Sequence, residues 1–179
     1  MTRETNRDHV HEVSGDILLT DAPVIAHGVA PNDSFHSGLA LQLRERFPAM
    51  YKDFRHYCQT HHPRSGDMWM WSGTGPHGPV RIACLLTQAG SYDHGGKPGP
   101  AQIDYVNHAL KKLAKWIEHE QPAAVAVPCL ATGVGALPWN HVQPLIHQHL
   151  GKLGVPIVLY STYHRGVKAV EPIPTTAQR

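Results

Sequence analysis

Residues 123–139 read AAVAVPCLATGVGALPW, and their pattern decides the fold. Ala123–Leu130 is continuously apolar, as a strand buried on both faces is. Ala131–Pro138 interrupts it with Gly133, Gly135 and a proline. Trp139–Leu150 then resumes with helical spacing, and Gly151 or Gly154 marks its end. A buried strand that turns through glycines into a helix is the building unit of an α/β domain with a parallel sheet. Glycines in such a turn let main-chain N–H groups approach an anion, and the helix N-terminus adds a favourable dipole. Thr132, Gly133, Val134, Gly135 and Ala136 are therefore candidate ligand-binding residues for a diphosphate, although a plain turn before a helix would read the same.

Working outward, the pattern recurs. Val155–Tyr160 (VPIVLY) is a last buried strand, and Ala101–Glu118 is a helix with Ile103, Val106, Leu110, Leu113 and Ile117 on its apolar face. Met68–Trp71 and Val80–Thr87 are strands joined through a turn at Gly73–Pro76. Pro23–Val29 (PVIAHGV) is buried and followed by the loop Ala30–Gly38. A helix follows, with Leu39, Leu43, Phe47 and Tyr51 at i, i+4 spacing, and Pro48 kinks it or starts a second segment. Val10–Val13 is a short first strand. The order β-β-α-β-β-α-β-α-β implies a mixed, largely parallel sheet covered on both faces. Such sheets bind ligands at the carboxyl ends of their strands. The loops Ala30–Gly38, Gln88–Pro100 and Ala131–Leu137 are thus expected to converge on one crevice.

Composition bounds the rest. With 179 residues, 41% hydrophobic and 17% charged, one domain is expected over residues 1–165, with 166–179 as a flexible polar tail. No apolar run approaches the roughly 20 residues of a membrane span, and MTRETNRDHVHEV lacks the apolar stretch of a secretory signal. The net charge is only +2, with no Lys/Arg run of the kind a dedicated nucleic-acid binder carries. Cys58, Cys84 and Cys129 form no disulfide framework, so a reduced, cytoplasmic setting is expected. Fifteen histidines include His9/His11, His61/His62 and His147/His149, but no CxxC or HExxH accompanies them, so neither a metal site nor a cofactor is expected.

Other residues stand out singly. Ser37, Gly38 and Leu39 open a helix after a buried strand, a second place for the same anion. GxxxxGK[ST] and GxGxxG are both missing, which argues against a P-loop and a dinucleotide site. Asp16 follows the first strand, where its carboxylate accepts from a nucleobase amino group or caps the next turn. His27, inside PVIAHGV, is a satisfied core residue or a group that orients water. Asn32, Asp33, His36, Asp93 and His94 are loop residues able to contact a polar ligand, or plain surface.

Three of these segments, in order, carry a resemblance. Gly15-Asp16-Ile17-Leu18, Ser37-Gly38-Leu39-Ala40-Leu41-Gln42-Leu43 and Ala131–Trp139 resemble the GDI, GGxA and STGxxGxP segments of the macrodomains, the ADP-ribose-binding family, over about Val10–Tyr163. HGVAPNDSFHSGLALQLRERFP and PCLATGVGALPW are similar to the branch of DNA ADP-ribosyl glycohydrolases, ADP-ribosyl-glutamate hydrolases and ADP-ribose-1″-phosphate phosphatases. LLTQAGSYDHGGKPGPAQIDYVNHALKKL is similar to the phosphatases.

The resemblance implies a three-layer fold, a six-stranded mixed sheet with helices on both faces. It implies adenine near Asp16 and Ile17, diphosphate between the two glycine loops, distal ribose near Ala30–His36, and Tyr160 beside the adenine or its ribose. The implied partner is ADP-ribose or an ADP-ribosylated substrate. Nucleic acid is expected only as such a substrate, and no membrane is involved. The implied activity is hydrolysis at the distal ribose, with His27, Asn32 and His94 as the catalytic candidates, or else reading of ADP-ribose without turnover. Relatives place a lysine, an aspartate and an asparagine where this chain has Gln88, Gly135 and Ala30.

Overall fold

The computed structural model describes residues 8–90 and 98–174. Its elements are β1 (Val10–Gly15), a 3-10 turn (Ile17–Leu19), β2 (Val24–Val29), α1 (Gly38–Arg46), α2 (Pro48–His61), β3 (Met68–Gly75), β4 (Gly78–Leu86), α3 (Ile103–Glu120), β5 (Val125–Pro128), α4 (Trp139–Leu150) and β6 (Ile157–Tyr163). One sheet runs in the order β1-β6-β5-β2-β4-β3. Every pairing is parallel except β3 with β4. The expected mixed, largely parallel sheet with helices on both faces is what forms.

Side chains alternate across the sheet, as strand geometry requires. Val24, Ala26, Ala83, Leu85, Val125, Val127, Ile157 and Leu159 face α3 and α4, which return Val106, Leu110, Leu113, Ile117, Val142 and Ile146. The other face of β4 sends Ile82, Cys84 and Leu86 against Leu43, Met50 and Phe54 of α1 and α2. His27 shares that side, in register with Cys84. Pro48 does start a second helix: it is the first residue of α2, and Phe47 before it is extended in φ at −127°.

Two readings of the sequence are corrected. The turn between β3 and β4 is Pro76–His77, closed by the Gly75–Gly78 pair, and Gly73–Gly75 belong to the strand. The stretch from Gly166 to Pro174 is tied to the domain rather than loose. The Val167 carbonyl accepts from the Asp16 N–H at 2.7 Å, Ala169 is buried, and the Glu171 carboxylate accepts from the Thr20 and Tyr160 hydroxyls and the Asp21 N–H. Among the described residues no helix is long and apolar enough to cross a membrane.

Candidate functional site

A cavity of about 740 Å³ opens at the carboxyl ends of the parallel strands. That is a usual size for a small-molecule site. The strand order fixes its layout. Ile17, Tyr160 and Tyr163 lie at the β1–β6 end, the 128–135 turn lies in the middle, and His27, Gly28, Asp33 and Gln88 lie at the β2–β4 end.

The middle gathers main-chain donors. Ser37 caps α1 in an extended conformation with no side-chain bond, and Gly38 follows at φ +60° in open space. The first-turn N–H groups of Gly38, Leu39 and Ala40 therefore have no intrahelical acceptor. Opposite, the loop after β5 has its carbonyls taken up by main-chain donors, two within the loop and one at Ala101. Ala131 O accepts from Leu137 N, Gly133 O from Ala136 N, and Gly135 O from Ala101 N, all within 2.9–3.0 Å. The N–H groups of Thr132, Gly133, Val134 and Gly135 donate to no acceptor among the described residues. Both sets of donors border the same cavity. Helix dipole and unpaired N–H groups together favour negative charge there.

The β2–β4 end is different. His27 is buried, its Nε2 is 3.3 Å from Cys84 Sγ, and its ring meets Phe35 edge-on at 5.6 Å. Its Nδ1 has no partner among the described residues. Burial pushes the imidazole down to about 4, so the ring is neutral at pH 7. Asp33 spends both carboxylate oxygens on its own turn, accepting from Ala30 N at 2.9 Å and Phe35 N at 2.8 Å. Burial raises its pKa, and these two bonds oppose the rise. Gln88 donates through Nε2 to Gly99 O at 3.2 Å.

The structure gathers most of the residues picked from the sequence. Ile17, His27, Ser37, Gly38, Leu39, Thr132, Gly133, Val134, Gly135 and Tyr160 all border the cavity. Asp16, Asn32 and Ala136 do not. Asp16 is the turn-capping residue: Oδ1 accepts from Leu18 N at 3.0 Å and Oδ2 from Gly166 N at 2.9 Å. Asn32 sits at φ +58° with its main chain turned to α2, where Arg55 donates to its carbonyl and its N–H reaches Cys58 Sγ. Ala136 spends its N–H on Gly133. His94 and Asp93 lie outside the described residues. Among those that are described, no group of three or more His, Cys, Asp or Glu side chains is placed to hold a metal ion.

Gly28, Gln42, Cys129 and Tyr163 also border the cavity, and the sequence reading left them out. Only Gly28 carried a signal. A lone glycine inside an apolar strand marks close approach of another group, and here a Cβ would stand 2.7 Å from Thr87 Oγ1.

No protein-family model matches the chain. It is 28% identical over 166 residues to the DNA ADP-ribosyl glycohydrolase of Mycobacterium tuberculosis, covering 91% of this chain and 46% of that protein. The chain thus spans about half the length of that relative. It is 21% identical over 170 residues to the ADP-ribose 1″-phosphate phosphatase of Saccharomyces cerevisiae, covering 81% of this chain and 95% of that one. The solved macrodomain of Thermus aquaticus DarG superposes with a TM-score of 0.73 at 27% identity, covering 85% of this chain and 97% of that one.

Proposed function

We propose that this chain, whose fold is that of the macrodomains, binds ADP-ribose in the cavity and hydrolyses a group attached to the distal ribose. The observation that carries this reading is that two sets of unpaired main-chain donors, at Gly38–Ala40 and at Thr132–Gly135, border one cavity. A diphosphate between them takes up hydrogen bonds that no acceptor among the described residues satisfies. Tyr160 and Tyr163 suit the base or its ribose at one end, and the distal ribose then falls toward His27, Asp33 and Gln88 at the other.

His27 is the group best suited to the chemistry at that end. Whichever tautomer its contact with Cys84 selects, Nδ1 is the ring atom left to meet a water or a ribose hydroxyl. With its pKa near 4, storing a proton on the ring at pH 7 costs about 4 kcal/mol. The ring therefore orients a water through a hydrogen bond more readily than it takes the proton away. The water oxygen forms the new bond at the distal-ribose carbon or at phosphorus, the bond to the leaving group breaks, and the leaving group departs with a proton from the water. The names of the relatives, a DNA ADP-ribosyl glycohydrolase and an ADP-ribose 1″-phosphate phosphatase, support a reaction at a group carried by ADP-ribose.

One observation favours the second reading, an ADP-ribose reader without turnover. Gln88, Gly135 and Ala30 stand where the resemblance implies lysine, aspartate and asparagine, and the Asp33 carboxylate is already engaged by its own turn. Calorimetry with ADP-ribose, run beside assays of phosphate release from ADP-ribose-1″-phosphate and of ADP-ribose release from a modified oligonucleotide, separates the two. Binding with release that His27→Ala removes supports the hydrolase. Binding with no release from either substrate supports the reader. No binding overturns both.

A further inference from the structure

Cys84 lies behind His27. The two residues face each other in register across β2 and β4, and His27 Nε2 stands 3.3 Å from Cys84 Sγ. His27 borders the cavity and Cys84 does not. Any effect of the thiol on the site therefore passes through the ring. Phe35, fully buried, meets the ring edge-on at 85° and holds its plane.

Both groups are neutral at pH 7. Burial pushes the His27 imidazole down to about 4. Burial, with Cys58 and Asp33 adding to it, pushes the Cys84 thiol well up. One proton thus sits on sulfur and one on the ring, and two arrangements are open to them. Either the thiol donates to Nε2 and the ring proton is on Nδ1, or Nε2–H donates to sulfur and Nδ1 keeps a lone pair.

The two arrangements differ in what they leave unmet. His27 Nε2 is the one hydrogen-bond partner of the Cys84 thiol among the described residues, whereas the Cys129 thiol reaches the Tyr160 and Ser161 carbonyls. His27 Nδ1 has no partner there at all. With the thiol donating, Nδ1–H alone is left over. With Nε2–H donating, the S–H and the Nδ1 lone pair are both left over, and the bond that forms ends on sulfur, a weak acceptor. Buried unmet groups cost free energy, so the first arrangement is favoured. The hydrogen bond made by one ring nitrogen decides which of the two carries the proton.

We propose that Cys84 is a positioning residue: its thiol fixes the Nδ1–H tautomer of His27 and makes the ring a hydrogen-bond donor toward the distal-ribose end of the cavity. The role rests on the ADP-ribose reading of that cavity. A donor at Nδ1 selects an oxygen, of the attacking water or of a ribose hydroxyl, and orients it. It does not remove a proton from that oxygen, because Nδ1 already carries one and the lone pair of Nε2 is taken by Cys84. His27 is thereby a donor and not a general base.

The test is nitrogen NMR of the full chain with labelled histidine rings at neutral pH and without ligand, the His27 signals being those missing from His27→Gln. Wild type is expected to show a proton-bearing Nδ1 and a bare Nε2. Cys84→Ser places a hydroxyl donor at the same position and is expected to keep that pattern. Cys84→Ala is expected to move the ring toward the Nε2–H form. In the same variant kcat for phosphate release from ADP-ribose-1″-phosphate, or for ADP-ribose release from a modified oligonucleotide, is expected to fall about fivefold or more with KM unchanged, the factor one hydrogen bond carries. Cys84→Ser is expected to restore it. A purely structural role would lower the melting temperature and leave the tautomer where it is. A bare Nδ1 in wild type overturns the proposal, and so does a tautomer or a kcat that Cys84→Ala leaves unchanged. Absence of both ADP-ribose binding and release in wild type would sink the cavity reading instead, and the ligand-free spectrum would still decide the tautomer.

Discussion

The main chain of Gly135 lies hard against Ala101. The Ala101 N–H donates to the Gly135 carbonyl at 3.0 Å, and a Cβ on Gly135 would stand 2.8 Å from the Ala101 Cβ and 2.7 Å from the Ala131 carbonyl oxygen. Two of those neighbours cannot rotate away. Gly135→Ala must therefore displace the cavity-lining loop whose Thr132–Gly135 N–H groups have no acceptor among the described residues. ADP-ribose affinity is expected to fall about tenfold or more, equivalent to ~1.4 kcal/mol, with melting temperature lower by a few degrees, about what ~1 kcal/mol produces in a domain of this size. Calorimetry and a thermal melt of the same preparation check both, and unchanged affinity would mean the loop is not the anion site.

His27 gives the fold an acid sensitivity. A free histidine titrates near 6.5, and the buried ring near 4. As pH drops below 6.5 the unfolded chain takes up a proton that the folded chain refuses. The stability contributed by the neutral ring is thus complete above pH 6.5, shrinks on acidification, and stops shrinking below about 4. Its full size is on the order of 3 kcal/mol. Urea unfolding at pH 7 and pH 4.5 should show wild type losing on the order of 2–3 kcal/mol more than His27→Gln; equal losses would refute the assignment.

Glu171 holds the end of the described chain in place. Its carboxylate accepts from the Thr20 hydroxyl, the Asp21 N–H at 2.8 Å and the Tyr160 hydroxyl at 2.6 Å. Glu171→Ala leaves these donors without their acceptor and is expected to cost about 2–3 kcal/mol. Limited proteolysis should then cut within the segment that follows β6 before the core unfolds. Resistance equal to wild type would show that the segment is held by other contacts.

Thr87 and Gly28 form a coupled pair. The Thr87 hydroxyl is buried with no partner among the described residues, and it is the atom a Cβ on Gly28 would meet first, at 2.7 Å. Thr87→Ala is expected to be nearly neutral, because the cost of an unmet hydroxyl, about 1–3 kcal/mol, offsets the lost methyl contact. Gly28→Ala alone should destabilise by about 1–3 kcal/mol, and far less in the Thr87→Ala background. Additive effects in a double-mutant cycle would disprove the coupling.

Most of the architecture could be read from local pattern. The strands around Val125, Val24 and Val158 are apolar on both faces because α3 and α4 cover one and the 3-10 turn, Leu39 and the segment around Ala169 cover the other. The start of α4 at Trp139 could be placed to the residue, whereas β5 ends at Pro128, two residues before the expected Leu130. What escaped was long-range. Glu171 meets Thr20 across 151 positions, and nothing in a polar, proline-containing tail announces that contact. Asn32 could be read as a polar residue in the right loop, but not that its main chain, at φ +58°, meets Arg55 and Cys58 of α2. Asp16 was legible as a cap or as a base contact, and the Leu18 and Gly166 amides show the cap. The Pro76–His77 turn was misplaced because Gly73-Thr74-Gly75 carries turn composition, whereas the pairing with Pro79 and Val80 keeps these residues extended.

The proposed grip on the anion consists of peptide groups, and that has a consequence for how such a protein can change. Thr132, Gly133 and Val134 contribute through atoms that every amino acid except proline possesses. Their side chains can be exchanged widely without erasing the pocket, and a catalogue of invariant polar residues would be a poor guide to it. The constraint falls instead on empty space: beside Gly28 and Gly135 a single added carbon would stand 2.7 Å from its nearest neighbour and close the gap.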